Sequence, residues 1–162
     1  MQIIEVTKPE ISIVKDLAYK IWPHAYAEIL SNEQLTYMLD NFYSIASLER
    51  QMDNGHVFLL IQENGIDLGF ASYQINILPN KTKLHKIYID PETQGKGIGK
   101  FVLDEVVQRA RNSGNSHLFL NVNKYNKAFH FYEKLGFQKI ADEVIEIGNG
   151  YVMDDYVMEK KV

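Results

Sequence analysis

The sequence of 162 residues contains no cysteine. This absence excludes disulfide bonds, metal sites built from thiolates and any reaction that passes through a cysteine thioester. Long apolar segments are also missing, because the longest apolar run, residues 57–61, is far shorter than the ~20 residues that cross a bilayer. The N-terminal residues lack the basic and apolar regions of a signal peptide. We therefore expect a cytoplasmic protein that does not associate with membranes.

An excess of positive charge is absent as well. The chain has 17 basic and 21 acidic residues, which gives a formal net charge of −4. Proteins built around nucleic acid need a basic face, so we expect no nucleic-acid partner. Hydrophobic residues at 46% and charged residues at 23% are ordinary for globular proteins. A chain of this length predicts one domain over residues 1–162.

Hydrophobic periodicity predicts a mixed α/β (α+β) domain around one twisted sheet. The first third reads as a short strand followed by helices near 9–21, 32–41 and 45–53. Pro23 is expected to end or kink the first helix, and Ser31 with Gln34 forms a capping box for the second. Further strands are predicted at 56–62, 67–77, 82–90, 116–121, 137–147 and 151–160. Two more helices are predicted, one that ends at 113–114 and one at 126–135.

A glycine-rich loop lies between a predicted strand and a predicted helix. It consists of Gln94, Gly95, Lys96, Gly97, Ile98, Gly99 and Lys100. Glycines allow backbone N–H groups to turn toward a ligand, and a helix N-terminus attracts anions, so the loop can bind a pyrophosphate. The spacing matches neither the Walker A motif nor the dinucleotide fingerprint. A plain glycine turn that caps the helix is the alternative interpretation.

A second segment, residues 120–137, leads from a strand into a helix that carries Ala128, Phe131, Tyr132 and Leu135 on one face. Core packing explains the apolar members of this face. Together, the loop at 94–99 and the block from Ala128 to Phe137 resemble two motifs of the GNAT superfamily of N-acetyltransferases. Their order, their separation and the order of strands and helices also fit that superfamily. The C-terminal segment and the aromatic N-terminal helices are most similar to bacterial polyamine-type members.

The resemblance implies a single GNAT-like domain. Its sheet would have about seven mostly antiparallel strands, splayed at the centre, with helices on both faces. Acetyl-CoA would be the co-substrate, with its pyrophosphate on residues 94–100 and its pantetheine along Ile87, Tyr88 and Ile89. A primary amine would attack the thioester directly, with no metal. The acceptor would be a small molecule or a peptide, and a polyamine is favoured over a protein N-terminus or lysine.

Direct attack requires one group that takes a proton from the amine and one that protonates the CoA thiolate. The resemblance assigns the second role to Tyr132. Where many members carry a catalytic glutamate on the strand before the loop, this chain has His85, and where others carry an acid on the next strand it has Asn121. The base is therefore His85, acting through water, or a residue elsewhere, or the amine arrives neutral. A purely structural role for His85 is the competing interpretation.

The remaining candidates would contact either the cofactor or the acceptor. An asparagine that contacts pantetheine in the family corresponds to Tyr125 here, so Asn126, Asn121 or Asn123 would replace it. Four residues are candidates for binding the acceptor: Tyr26, Glu28, Tyr43 and Asp155. Core packing for the tyrosines and a solvated strand end for Asp155 are the alternatives. Sheet edges near the C terminus favour a homodimer. A non-catalytic acyl-CoA-binding or regulatory module on the same fold is the competing function.

Overall fold

The computed structural model describes residues 1–93 and 95–162, so Gln94 of the predicted loop lies outside the described residues. The described residues form the strands and helices in the predicted order. The strands are β1 (Gln2–Glu5), β2 (Val57–Glu63), β3 (Ile66–Leu78), β4 (Lys81–Ile89), β5 (His117–Asn123), β6 (Gln138–Gly148) and β7 (Tyr151–Lys161). The helices are α1 (Ile11–Ala25), α2 (Asn32–Phe42), α3 (Ile45–Asp53), α4 (Ile98–Asn112) and α5 (Ala128–Lys134).

The strands form one seven-stranded sheet in the order β1-β2-β3-β4-β5-β7-β6. The pairs β1–β2, β2–β3, β5–β7 and β6–β7 are antiparallel, whereas β4 and β5 run parallel over residues 81–84 and 117–120. This confirms the predicted mixed sheet and the α/β class. The predicted central splay and the placement of helices on both faces stay predictions.

Two compact units make up the chain. The first unit comprises residues 1–74 and 86–106, and the second comprises residues 75–85 and 107–162. Strands β3 and β4 and helix α4 each contribute residues to both units. The assignment of one domain to residues 1–162 stays a prediction.

Serine caps begin two helices of the first unit, and the sequence predicted the first of them, at Ser31. The Ser31 hydroxyl accepts a hydrogen bond from the Gln34 N–H at 3.2 Å, and Ser44 does the same for Ser47 before α3. Helix α1 continues to Ala25 instead of ending near residue 21. Pro23 lies in its last turn, where the missing N–H removes only one helical bond.

The core of the first unit combines the apolar part of β2 with one face of α1. Strand β2 is buried on both faces at four consecutive residues, namely Phe58, Leu59, Leu60 and Ile61. The buried residues of α1 recur at helical spacing and include Val14, Ala18 and Ile21. Strand β3 adds to this core, since its residues 68–73 are also buried.

In the second unit, alternate residues of β5 are buried, and a polar network lies just before the first residue of this strand. Leu118 and Leu120 are buried, and the side chains between them lie on the opposite face. The buried Asn115 amide oxygen accepts hydrogen bonds from the Thr82 hydroxyl at 2.6 Å and from the Asn76 N–H at 3.0 Å.

Helix α5 is shorter than predicted. None of the helices in the described ranges has both the length and the apolar character to cross a bilayer.

Candidate active site

The glycine loop of the first unit exposes its backbone before α4. Gly95 and Gly97 have φ values of +87° and +74°, which side chains other than glycine rarely adopt. No described atom lies within 4 Å of a Cβ placed at either position, so the backbone conformation, and not crowding, requires glycine. Helix α4 starts at the buried Ile98, and the Gly97 carbonyl accepts the first helical bond from Phe101 at 3.0 Å. The loop therefore presents open backbone at a helix N-terminus, which is the geometry that binds phosphate groups.

The lysines of this loop lie at its surface. Lys96 and Lys100 are exposed, and Lys100 Nζ lies 2.7 Å from the Asp104 carboxylate one turn along α4. Gly99 is half-buried in the first turn. The predicted contacts of residues 95–100 with a pyrophosphate stay predictions, although the exposed position and the positive charge suit them.

A buried carboxylate anchors the start of the loop. Asp90 accepts hydrogen bonds from Lys20 Nζ at 2.6 Å and from the Glu92 N–H at 3.0 Å, while its own N–H donates to Leu68 O at 2.7 Å. The hydrogen bond from Lys20 is the main reason why the pKa of Asp90 lies below its usual value. Sequence reasoning found the turn at Asp90 but not Lys20, because seventy residues separate the partners.

Strand β4 carries the predicted pantetheine segment. Ile87, Tyr88 and Ile89 are each half-buried. The Tyr88 side chain packs within the first unit, where its hydroxyl lies 2.8 Å from the Tyr26 hydroxyl and its ring lies 5.6 Å from the Phe70 ring. Any contact of Tyr88 with pantetheine would therefore use its backbone, which is the contact that the resemblance implies.

The tyrosines predicted to bind the acceptor belong to an aromatic cluster in the first unit. Trp22 lies between Tyr26 and Tyr43, with ring centroids 4.6 Å and 5.3 Å away, and all three are buried. Burial raises the pKa of the Tyr43 hydroxyl well above its usual value. Lys86 Nζ lies 5.8 Å from the centre of the Tyr43 ring. This packing is the structural alternative that the sequence left open, and it holds Tyr43 in the core.

Two other predicted residues lie in turns, Glu28 after α1 and Asn126 before α5. Glu28 is exposed in the turn after α1. The Asn126 side chain accepts a hydrogen bond from the Ala128 N–H at 2.9 Å and so starts α5. Tyr125, at the position of the family's asparagine, is 76% exposed. The predicted acceptor contact of Glu28 and the predicted cofactor contact of Asn126 stay predictions.

Tyr132 is buried on α5 in the second unit. Its ring packs against Phe131 and Phe137, with centroid distances of 5.3 Å and 5.6 Å. Its carbonyl accepts the Phe137 N–H at 3.1 Å, across a turn in which Gly136 has a φ of +95°. The chain reversal that ends α5 therefore fixes the position of Tyr132.

The second unit brings together two of the predicted residues and adds one that sequence reasoning missed. Asn121 Nδ2 donates to Asp155 Oδ2 at 3.3 Å and to Glu143 Oε1 at 2.9 Å. Asp155 is only 5% exposed, so it is not the solvated strand end that the sequence allowed. Burial is the main reason why the pKa of Asp155 is raised. His85 is half-buried on β4, and its role stays a prediction.

Glu143 joins this group because of strand pairing. It lies opposite Asp155 in the ladder of β6 and β7, and Asp155 lies opposite Asn123 in the ladder of β5 and β7. Paired residues in a ladder share a face of the sheet. Only the register of three strands, which the sequence does not specify, reveals this neighbour.

No three His, Asp or Glu side chains within residues 1–93 and 95–162 come close enough to hold a metal ion. The prediction that the reaction uses no metal stays a prediction.

This chain is similar in sequence to a family of known proteins and to individual members of it. Residues 26–160 match the family model described as an acetyltransferase (GNAT) domain. The L-amino acid N-acyltransferase MnaT of Escherichia coli is 32% identical over 124 residues, which cover 73% of this chain and 70% of that protein. The spermidine N(1)-acetyltransferase of Thermoplasma acidophilum is 28% identical over 99% of this chain and 97% of its own length.

A solved structure extends the similarity to three dimensions. The crystal structure of the PaiA N-acetyltransferase from Thermoplasma acidophilum, in complex with coenzyme A, superposes with a TM-score of 0.82. The two chains are 28% identical, and the match covers 99% of this chain and 98% of that one. The likeness therefore spans both compact units and not the glycine loop alone.

Proposed function

We propose that this chain, which belongs to the GNAT acetyltransferase family and is an acetyl-CoA-dependent N-acetyltransferase, acetylates a small primary amine. A polyamine is favoured over a protein N-terminus or lysine. The proposal rests on the open glycine loop at the start of α4, which supplies a site for the cofactor phosphates. Similarity to a spermidine acetyltransferase over nearly both full lengths favours a small amine.

Acetyl-CoA is held by backbone groups in this proposal. The N–H groups of residues 95–100 and the positive end of the α4 dipole face the pyrophosphate. The pantetheine lies along Ile87, Tyr88 and Ile89 and pairs with them as an added strand would. A strand N–H in that segment donates to the thioester carbonyl and stabilises the negative charge that develops on its oxygen.

The transfer itself is a direct attack. The neutral amine adds to the thioester carbon, the carbon–sulfur bond breaks, and the nitrogen releases a proton as the amide forms. Tyr132 gives its hydroxyl proton to the CoA thiolate and regains one from solvent. The absence of cysteine supports a route without an enzyme-bound thioester.

The first experiment measures thermal unfolding with and without acetyl-CoA. A ligand that binds only the folded protein stabilises it by ~2.7 kcal/mol at a hundredfold excess over Kd. A clear rise in Tm is the expected result, followed by release of CoA when spermidine is added. No rise at millimolar acetyl-CoA would overturn the proposed role of the loop.

The role of Tyr132 is tested by Tyr132→Phe, which removes only the hydroxyl. We expect the acetyl-CoA shift to persist while turnover falls roughly a hundredfold or more, because general acid catalysis typically contributes 10²–10⁴. Tyr125→Phe is the matched control, since that side chain is exposed, and should change neither quantity. Unchanged turnover in Tyr132→Phe would show that another group protonates the thiolate.

A further inference from the structure

One carboxylate of the second unit is buried without full hydrogen bonding. Asp155 is 5% exposed, and its Oδ1 accepts no hydrogen bond from any residue that the structure describes. Among the described residues, only the Asn121 amide donates to its Oδ2, at 3.3 Å. Buried carboxylates normally have partners at both oxygens, because an unpaired buried polar atom loses the hydrogen bonds that water gave it.

The neighbouring aspartate, Asp154, also has a buried Oδ1 without a hydrogen bond from the described residues, but a cation lies beside it. Asp154 points to the other face of β7 and lies in an ion pair with Lys124 at 3.0 Å. On the face of Asp155 the nearby charges are Glu143 and Lys83. Lys83 Nζ lies 5.7 Å from the centre of the Phe119 ring, so it is occupied by a cation–π contact.

The Asn121 amide fixes which ligands can complete this group. Its NH₂ donates to Asp155 and to Glu143, so its carbonyl oxygen points away from both carboxylates. That orientation withholds the third oxygen ligand that a divalent metal would use. Two carboxylates held by one donor instead suit a group that brings its own N–H donors and a positive charge.

We propose that Asp155 Oδ1, with Glu143 beside it, binds an ammonium group of the acceptor, and that this is the ammonium that is not acetylated. The inference rests on the proposed function, because it concerns the acceptor of that reaction. The attacking nitrogen must be neutral, whereas a buried carboxylate favours the protonated form of a nearby amine. The acceptor class is therefore a diamine or polyamine, and an acceptor with a carboxylate at that end is repelled.

Three acceptors of similar length test the assignment: 1,4-diaminobutane, butylamine and 4-aminobutanoate. They carry an ammonium, a methyl and a carboxylate at the end that does not react. For the wild-type protein with acetyl-CoA we expect kcat/KM for the diamine to exceed that for butylamine by roughly ten- to a hundredfold, the range for a charged hydrogen bond. The carboxylate should be the poorest acceptor.

The variant Asp155→Asn keeps the shape of the side chain and removes its charge. We expect the preference for the diamine over butylamine to fall to nearly equal values, mainly because KM for the diamine rises. Glu146→Gln is the matched control, because Glu146 lies on β6 but on the face away from Asp155. It should retain the full preference for the diamine.

Stability provides a readout that a purely structural role would not give. Burial, with Glu143 and Asp154, raises the pKa of Asp155 in the folded protein, whereas Lys83 and Asn121 oppose this. The folded state then binds the proton more tightly than the unfolded state, so the stability of the wild type falls as pH rises above the unfolded pKa of about 3.9. Without acetyl-CoA or amine at neutral pH, we expect Asp155→Asn to have a higher Tm than the wild type.

Several results would overturn the inference. One is an unchanged diamine preference in Asp155→Asn, and another is an equal loss of activity toward diamine and butylamine. A rise in Tm with Mg²⁺ alone that disappears in Asp155→Asn would assign the group to a metal instead. Failure of the proposed function looks different, because then acetyl-CoA would not raise the Tm of the wild type and no amine would be acetylated.

Discussion

Gly69 on β3 lies against the strand that we propose to hold the pantetheine. A Cβ placed at this position would lie 2.4 Å from Tyr88 O and 3.0 Å from Ile89 Cα. Contacts below 3.0 Å are essentially never made by real Cβ atoms, so Gly69→Ala must separate the methyl group and the Tyr88 carbonyl by at least about 0.6 Å. The nearest of the obstructing atoms, Tyr88 O, belongs to the backbone, so no side-chain rotation relieves the clash.

Overpacking of this kind destabilises proteins by about 1–3 kcal/mol. For a chain of this size each kcal/mol lowers Tm by roughly 2–4 °C, so we expect Gly69→Ala to lower it by roughly 2–12 °C. The same displacement moves the backbone of β4 at residues 87–89, along which we propose that the pantetheine lies. The affinity for acetyl-CoA, measured by isothermal titration calorimetry below the Tm of the variant, should therefore fall severalfold.

Gly65→Ala is the control, because it adds the same methyl group where no described atom lies within 4 Å. Its φ of +76° makes alanine strained, so this variant also loses stability, but its affinity for acetyl-CoA should stay at the wild-type value. Normal stability and normal affinity in Gly69→Ala would refute the reasoning, since they would mean that β4 moves freely at Tyr88. Lower stability with normal affinity would refute the placement of pantetheine alone.

Two further predictions concern charges of the first unit. Lys20→Met should lower Tm by a few degrees at pH 7, because it leaves the buried Asp90 without its main partner. The pKa of Asp90 is lowered in the folded protein, so the stabilisation by the Lys20–Asp90 pair is present above the unfolded pKa and is lost as pH falls through the folded pKa. The difference in unfolding free energy between Lys20→Met and the wild type should therefore be smaller at pH 3 than at pH 7. Burial and the hydrogen bond to Asp40 raise the pKa of Tyr19 to about 12. The free energy of unfolding should fall as pH rises from about 10 to about 12, and it should fall less steeply in Tyr19→Phe. Urea titrations at several pH values in this range measure it, and the same dependence on pH in both proteins would contradict the prediction.

Local sequence signals specified most helix and strand positions. Ser31 and its partner three residues later marked the start of α2, and Gly136 marked the end of α5, because caps depend on residues within one turn. The end of α1 was wrong by four residues, since Pro23 lies in the last turn, where its missing N–H removes only one helical bond. Helix α5 starts two residues later than predicted because Asn126 forms the turn before it.

The glycine loop and its likeness to an acetyltransferase motif could be read from the residues alone, because that loop is one contiguous segment whose conformation depends on its own glycines. The fold alone reveals which residues far apart in the sequence become neighbours within each unit. Lys20 reaches Asp90 across seventy residues, and Asn121 meets Asp155 and Glu143 through the register of three strands. Register and helix packing follow from burial over the whole chain, and a list of residues does not state which strands become neighbours.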